Sequence, residues 1–589
     1  MTSTDKGKLT RFYDALLARR LLTYLRPYRG VVGVSVVLLL ILSGLRLVSP
    51  YLIKIAIDES IPHHDTGQLQ TLTFLFVLVL ALQFGVGFLQ TYATNWTGQR
   101  IMYDLRLQIF GHLQKLDVAY FDKNATGRIL TRLTNDVDAL NELFTSGAVS
   151  VFGDIFSLFG IVAVMLWINW KLALVCFSVI PLLFIVTVLF KQRVRGSYRR
   201  VRAAVSRINS FLQEAITGMT IIQIFVQEER KLEEFKQRNS THLQANLDSI
   251  FYYAIFYPIV SLIGTLALAL ILWYGGLQVL NGMLTLGAVV AFVQYSERFY
   301  KPISDLSEKF NILQSAMASS ERIFDLLDTR PSISAPSVVQ VAPKPVGTIE
   351  FRNVSFRYDA NVPVLKNLSF RVDPGEKVAI VGATGSGKTT LISLLSRFYD
   401  VDQGEIVLDG VDLRLWDLAE LRQRIAVVLQ DVFLFSGSIA DNIRLWDGRV
   451  SERAMKEGAR RVLAADFIES LPGGYATILN ERGQSISSGQ RQLLSFARAL
   501  ARNPEILVLD EATSSVDPHT EHQIQIALGQ LIENRTAVII AHRLSTIQNC
   551  NRILVLHKGE LVEEGSHAQL LALRGIYFKL YQLQFQDQR

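Results

Sequence analysis

Cysteine is scarce in this sequence, and its scarcity excludes one class of protein. Only Cys176 and Cys550 occur among 589 residues. Cys176 lies inside an apolar run and Cys550 lies far from it in a different setting, so no disulfide is expected and neither residue resembles a metal ligand. A disulfide-stapled secreted scaffold is therefore excluded. The length instead predicts two or more domains.

Charged residues are nearly missing from several long stretches of the first half. Half of all residues are hydrophobic and the mean hydropathy is +0.26. Segments 31–53, 71–93, 145–167, 170–190 and 255–277 each approach the ~20 apolar residues that cross a bilayer. Segment 286–308 is interrupted by Glu297, Arg298 and Lys301, and we interpret it as a sixth span that continues into the cytoplasm. The pattern predicts an all-α membrane domain of six helices.

Lys and Arg are also scarce in the connections 54–70, 168–169 and 278–285, whereas the leader and segment 191–254 are rich in them. By the positive-inside rule both termini and both long loops are cytoplasmic, which predicts an inner (plasma) membrane protein. This asymmetry explains the net charge of +7 without nucleic acid as a partner.

No cleavage site follows the first apolar run, so no cleavable signal peptide is expected. Residues 11–28 mix apolar residues with Arg and predict an amphipathic helix on the inner membrane surface, in contact with lipids.

A linker rich in Pro and Ser, within residues 326–348, separates a domain at 1–325 from a second domain at 349–589. In the second domain, the apolar strand 378–381 leads into a glycine-rich loop, and 391–395 begins a helix. Strand, loop and helix in this order form an α/β phosphate-binding loop. Its residues are Gly382, Ala383, Thr384, Gly385, Ser386, Gly387, Lys388, Thr389 and Thr390.

The residue types of this loop suit a nucleoside triphosphate. Gly382, Gly385 and Gly387 allow backbone N–H groups to point at phosphates beside a helix N-terminus. Lys388 supplies charge to the β- and γ-phosphates, and the Thr389 hydroxyl suits Mg²⁺. ATP and Mg²⁺ are therefore the predicted cofactors.

Carboxylates follow a second apolar strand at 506–509. Asp510 is predicted to hold the metal, and Glu511 to polarise the attacking water. His542 follows a further apolar strand and is predicted to contact the γ-phosphate. Two solvated surface acids would be the bland alternative, which the delivering strand disfavours.

With these motifs in place, residues 349–585 resemble the nucleotide-binding domain of ABC transporters, which has a helical subdomain. Residues 1–325 resemble the six-span domain of the exporter-type half-transporters. The signature of that family has its counterpart in Ile486-Ser487-Ser488-Gly489-Gln490, in which Ser488 replaces a glycine. The resemblance implies nucleotide contacts from Ser487, Gly489 and Gln490 and implies that Tyr358 stacks on adenine. It also implies that Gln430 acts in catalysis, linking the metal to the membrane domain, and that Asp517 makes a contact across a dimer.

The resemblance also assigns the two long loops. Residues 103–138 and 214–228 are similar to the cytoplasmic loops of exporters, which would contact the ATP-binding domains. In this family each ATP lies between the phosphate loop of one domain and the signature of another, so a second copy or a sister half-transporter is required. The implied function is ATP-driven export or flipping of a hydrophobic or amphipathic drug, lipid or peptide by alternating access.

Two alternatives and one question stay open. An ATP-gated regulatory or channel-like subunit is the alternative function, which the intact Glu511 disfavours, and an importer is disfavoured by the fusion order. The cargo is not determined by the sequence. Arg46, inside the first span, either attracts anionic cargo or is structural, in which case it pairs with an acid such as Asp154 or snorkels towards the membrane surface. An aromatic group could line a cargo path or simply pack, and it consists of Phe251, Tyr252, Tyr253, Phe256 and Tyr257.

Overall fold

The chain folds as two units that differ in secondary structure. The computed structural model describes residues 16–333, 346–359, 361–483, 485–510, 518–541 and 543–585. Residues 1–114 and 127–329 form the first unit, and residues 115–126 and 330–589 form the second. The short segment 115–126, part of the predicted first cytoplasmic loop, thus groups with the second unit.

The first unit is helical, as predicted for a membrane domain. Its described part begins with a helix over 16–23 and a 3₁₀ turn at Arg26–Tyr28. In chain order, the helices up to residue 328 are α1 Arg29–Ile55, α2 Thr66–Leu113, α3 Val118–Lys123, α4 Thr126–Thr131, α5 Val137–Glu142, α6 Ala148–Phe177, α7 Ile180–Thr217, α8 Met219–Ile224, α9 Glu228–Leu280 and α10 Leu286–Asp328. Of these, α3 lies in the second unit. π-helical turns occur at Ala56–Ser60, Arg132–Asp136 and Leu143–Gly147.

Among the described residues, four helical stretches are long and apolar enough to cross a membrane: Arg26–Ser60, Thr66–Leu113, Thr126–Phe177 and Glu228–Leu280. They contain the predicted spans 31–53, 71–93, 145–167 and 255–277. The predicted span 170–190 begins in the last residues of α6 and continues in α7, and the predicted span 286–308 lies in α10, so the total of six spans stays a prediction. The chain is a membrane protein.

The predicted turn between the third and fourth spans coincides with a break in α6. Asn169 has φ −160° and ψ 106°, which is not helical, and its side chain accepts a hydrogen bond from the Leu172 N–H at 2.9 Å. A side-chain acceptor of this kind caps the first turn of a new helix. A second break at 178–179 separates α6 from α7.

The ion pair of Asp154 differs from the pairing with Arg46 that the sequence left open. Asp154 pairs with Lys309. The backbone carbonyl of Arg46 instead accepts a hydrogen bond from Arg298. Of the aromatic residues at 251–257 in α9, Phe256 packs within the unit. Its ring stacks on the Phe190 ring of α7 with centroids 3.9 Å apart.

The second unit has the α/β fold predicted from its sequence. Its strands are β1 Ile349–Asp359, β2 Val362–Val372, β3 Lys377–Val381, β4 Gln403–Leu408, β5 Val411–Asp412, β6 Ile425–Val428, β7 Gly437–Ser438, β8 Ile478–Leu479, β9 Ile506–Asp510, β10 Thr536–Ile540, β11 Arg552–His557 and β12 Glu560–Gly565. Its helices after α3 are α11 Lys388–Leu395, α12 Leu418–Arg424, α13 Ile439–Arg444, α14 Glu452–Arg461, α15 Ala465–Ser470, α16 Ser488–Ala501, α17 Pro518–Leu531, α18 Leu544–Gln548, α19 His567–Leu573 and α20 Ile576–Phe585.

A six-stranded sheet in the order β12-β11-β3-β10-β9-β6 forms the centre of this unit, and a four-stranded antiparallel sheet in the order β2-β1-β4-β5 accompanies it. Alternate residues of β9 enter two hydrophobic clusters: Leu507 and Leu509 pack with the helix α16, and Ile506 and Val508 pack with β1. Burial of both faces explains why these strands are continuous apolar runs.

The parallel pairing brings several strand ends to one edge. Ile540 of β10 pairs with Ile380 of β3 and with Asp510 of β9, while Val428 of β6 pairs with Leu509. The carboxyl ends of β3, β6, β9 and β10 therefore lie at the same edge of the sheet. In open α/β sheets this carboxyl edge is where ligands bind.

Candidate nucleotide-binding site

The loop between β3 and α11 has the geometry that a phosphate-binding loop needs. Gly385 and Gly387 have φ of +80° and +102°, a region that favours glycine. A Cβ on Gly387 would lie 2.6 Å from the Leu365 side chain, and one on Gly382 would lie 2.3 Å from the Leu556 carbonyl oxygen. Residues 383–385 are exposed. The exposed turn at 383–385 is therefore accessible to a phosphate ligand.

Lys388, the first residue of α11, is buried at the base of this loop. Its Nζ donates to the carbonyl oxygens of Gly382 at 2.7 Å and of Ala383 at 3.1 Å. Burial lowers the pKa of the Lys388 ammonium, and the Asp510 carboxylate acts in the opposite direction. The structure thus brings Lys388 and Asp510 together, although they are far apart in sequence.

Two hydroxyls at the loop are suited to bind polar ligand atoms. Ser386 Oγ is buried and has no hydrogen-bond partner among the described atoms. Thr389 is exposed at the start of α11. A buried hydroxyl without a partner is costly, and a phosphate oxygen would satisfy it.

The predicted Mg²⁺ ligands offer a fitting set of donor atoms. Thr389 supplies a hydroxyl, Gln430 an amide oxygen and Asp510 a carboxylate, which are the oxygen ligands that Mg²⁺ prefers. Asp510 ends β9, and Gln430 lies exposed two residues beyond the end of β6. The described residues contain no cluster of three or more His, Cys, Asp or Glu that could hold a metal. The set therefore fits an ion that keeps water and phosphate ligands.

Tyr358 is held at the edge of the loop by two neighbouring rings. Its ring is 41 % exposed, and its hydroxyl donates to Thr390 Oγ1 at 3.3 Å. The Phe356 and Tyr399 rings meet it nearly perpendicularly, with centroids at 4.9 Å and 5.1 Å. An exposed ring beside the phosphate loop is suited to stack on a nucleobase.

The signature residues form the N-terminus of α16. The Ser487 side chain accepts from the Gln490 N–H at 3.2 Å, and the Gln490 side chain accepts from the Ser487 N–H at 3.0 Å, which is a capping box. Ser487 and Ser488 are exposed, and Gly489 is buried. Because a helix N-terminus attracts anions, this end is suited to a phosphate group.

Three predicted residues lie outside the described part of the chain: Glu511, Asp517 and His542. Their roles stay predictions. The residues before Glu511 and His542 are described, since Asp510 ends β9 and Ala541 follows β10.

Two residues of this region had no signal in the sequence. The Tyr399 hydroxyl donates to the Asp122 carboxylate in α3, which confirms for this helix that the first loop contacts the ATP-binding domain. Arg498 of α16 donates to the Asn442 carbonyl at 2.9 Å and to the Phe433 carbonyl at 3.1 Å. Burial, and secondarily Arg502, lowers the pKa of Arg498 to about 10. Both residues bond to partners that are far away in the sequence, and the periodicity of apolar residues does not predict such contacts.

Comparison with known proteins agrees with this geometry. The family model described as ABC transporter transmembrane region matches residues 32–303, and the one described as ABC transporter matches residues 365–514. The chain is 39 % identical to the uncharacterized ABC transporter ATP-binding protein YknV of Bacillus subtilis (strain 168), over 98 % of each chain. It is 37 % identical to the ATP-dependent lipid A-core flippase of Syntrophus aciditrophicus (strain SB), over 97 % of this chain and 95 % of that one.

A third relative is named for a different substrate. The chain is 39 % identical to the fatty acid ABC transporter ATP-binding/permease protein of Mycobacterium bovis (strain ATCC BAA-935 / AF2122/97), over 87 % of this chain and 80 % of the relative. Coverage of this extent leaves neither half of the chain unmatched. The chain belongs to the ABC transporter family as an exporter-type half-transporter, and it binds ATP and couples ATP hydrolysis to the export of hydrophobic substrates across a membrane.

Proposed function

We propose that two copies of this chain form the working exporter, with two ATP molecules bound between them. The exposed N-terminus of α16, capped by Ser487, is the observation that supports this proposal best. The chain contains one phosphate loop and one signature, and each is intact in its key residues. The signature of one copy would bind the γ-phosphate that lies on the phosphate loop of its partner, and Asp517 would contact the partner beside it.

Within each site, the residues of one copy would divide the work. Lys388 and the loop N–H groups bind the phosphates, and the exposed Tyr358 ring stacks on adenine. Thr389, Gln430 and Asp510 would hold Mg²⁺, which supplies positive charge to the phosphate oxygens. Glu511 polarises the attacking water, and His542 contacts the γ-phosphate.

We place the protein in the inner membrane with its ATP-binding domain in the cytoplasm. The basic leader and the basic segment 191–254 support this orientation, because Lys and Arg accumulate on the cytoplasmic side.

The second cytoplasmic loop carries exposed apolar side chains, among them Ile221, Ile224 and Phe225 at 64 to 69 % exposure. Apolar side chains exposed together are typical of an interaction surface.

We propose a lipid or another amphipathic molecule with an acyl chain as the cargo. Relatives named for lipid A-core and for fatty acid support this class, and a multidrug name among the relatives supports a broader apolar range. A regulatory or channel-like subunit is the alternative. It would bind ATP without a steady rate of hydrolysis.

The proposal is tested by reconstituting the purified chain into liposomes of defined composition. ATPase activity is measured while phospholipids, free fatty acids, hydrophobic dyes and peptides are added in turn, and lipid movement between leaflets is followed with a fluorescent phospholipid. We expect stimulation by acyl-chain compounds and ATP-dependent movement of the lipid. Tight ATP binding without hydrolysis under every condition would instead favour the regulatory subunit.

A further inference from the structure

The position of Tyr399 suggests a role that neither the motifs nor the family assignment gives it. Tyr399 follows α11, and its ring contacts both Phe356, with centroids at 5.6 Å, and Tyr358, with centroids at 5.1 Å. These three residues form a three-ring cluster. Tyr358 is its exposed member, and its hydroxyl also donates to Thr390 Oγ1 at 3.3 Å. The orientation of Tyr358 therefore depends on how firmly Tyr399 is held.

Tyr399 is held by a residue of the first cytoplasmic loop. Its hydroxyl donates to the carboxylate of Asp122 in α3. Burial raises the pKa of the Tyr399 phenol, and the hydrogen bond to Asp122 raises it further. The phenol is thus neutral at physiological pH and remains a donor.

The helix that carries Asp122 is itself fixed at its start. Asp117 caps α3 by accepting from the Tyr120 N–H at 3.3 Å. The same carboxylate accepts from the Ser332 N–H at 2.6 Å and from the Ser332 hydroxyl. Asp117 thus ties α3 to the segment that leaves α10, so a shift of either segment would reach Asp122 and then Tyr399.

We propose that Tyr399 is a positioning residue, which orients the Tyr358 ring for adenine only while its hydroxyl is bonded to Asp122. The proposal rests on the adenine-stacking role proposed for Tyr358. Edge-to-face ring contacts favour one orientation of a pair of rings, so a fixed Tyr399 restricts the rotation of Tyr358. Because linkage is reciprocal, a bond that strengthens ATP binding is itself strengthened by bound ATP, by the same factor. Adenine binding would thereby stabilise one position of the first cytoplasmic loop.

The test is a double-mutant cycle on nucleotide affinity in the full-length protein, with Glu511→Gln in every variant to prevent hydrolysis. Dissociation constants of MgATP and of inorganic tripolyphosphate are measured for the parent, Tyr399→Phe, Asp122→Ala and the double variant. Loss of one hydrogen bond predicts ATP binding about threefold to tenfold weaker in each single variant, with no further loss in the double variant. Tripolyphosphate affinity should not change, because that ligand has no base.

Tyr475→Phe serves as the matched control, because the Tyr475 hydroxyl is buried without a hydrogen-bond partner in the described part of the same unit. It should leave both affinities at the parent values. Tyr399→Phe keeps the ring and removes only the hydroxyl. If this variant weakened the binding of ATP and of tripolyphosphate equally, the effect would be damage to the fold, and the proposal would be contradicted. Additive losses in the double variant would contradict it as well.

Tyr358→Ala separates this inference from the proposed function. If Tyr358→Ala leaves the ratio of ATP to tripolyphosphate affinity unchanged, the adenine site itself is wrongly assigned. If Tyr358→Ala lowers that ratio while Tyr399→Phe and Asp122→Ala do not, the site stands and the role of Tyr399 is refuted.

Discussion

Arg498 joins the signature helix α16 to the helix α13, because its Nε donates to the carbonyl oxygen of Asn442 at 2.9 Å. Asn442 is 1 % exposed, and its side-chain oxygen accepts from the Phe435 N–H at 2.8 Å. A guanidinium, a buried amide and two stretches of backbone therefore form one hydrogen-bonded network.

Arg498→Met should destabilise the protein, because the carbonyl oxygens of Asn442 and Phe433 would lose a charged donor. Leaving such acceptors unsatisfied costs about 2 kcal/mol, which predicts a midpoint of thermal unfolding lower by about 4–8 °C. The midpoint is measured by intrinsic fluorescence of the purified protein. Arg453→Met, at an exposed position of α14, is the control and should melt with the wild type. Equal midpoints for all three proteins would show that the network does not stabilise the fold.

Lys388→Ala should abolish ATP binding, because the phosphates lose the charge held at the loop. Direct binding of a labelled ATP to the purified variant measures this. The phosphate-loop assignment would be wrong if the variant bound ATP as tightly as the wild type.

Glu511→Gln should bind ATP and hydrolyse it far more slowly, since the attacking water loses its carboxylate. ATP turnover and the amount of trapped nucleotide are measured on the same preparation. A variant that kept near wild-type turnover would remove Glu511 from this role and leave the water to another group.

The two serines of the signature should behave differently. Ser487→Ala removes the N-cap of α16 and the hydroxyl nearest the helix N-terminus, so ATPase activity should fall at least tenfold. Ser488→Gly restores the residue usual in the family and should keep activity within about twofold, because the Ser488 side chain is exposed. The reverse order of effects would mean that Ser488 makes the phosphate contact.

The phosphate loop was predictable from sequence because its requirements are local. The strand, the glycines and the lysine are contiguous, and the glycine φ angles match the expectation. Helix lengths were less predictable: α2 spans Thr66–Leu113, whereas its apolar part suggested only 71–93. Apolar length marks the part of a helix that lipid can surround, while the helix continues through polar sequence.

Contacts between distant residues account for what the sequence did not reveal. Asp154 pairs with Lys309, which is 155 residues away, and an apolar pattern cannot select that cation over Arg46. Tyr399 and Asp122 are separated by 277 residues, and no motif links an aromatic residue after α11 to a loop of the first half. Partner choice of this kind depends on the tertiary fold.

If each ATP lies between two copies of this chain, two variants that are inactive alone should restore an active site when they are mixed. Lys388→Ala lacks a working phosphate loop, and Gly489→Asp places a carboxylate at the signature, where it would repel phosphate. Each variant alone should be inactive. Co-expressed with different affinity tags and purified through both, the pair should regain ATPase activity, because one of its two sites combines an intact loop with an intact signature. A mixed dimer without activity, or substantial activity of either variant alone, would show that ATP does not lie between the phosphate loop of one copy and the signature of the other.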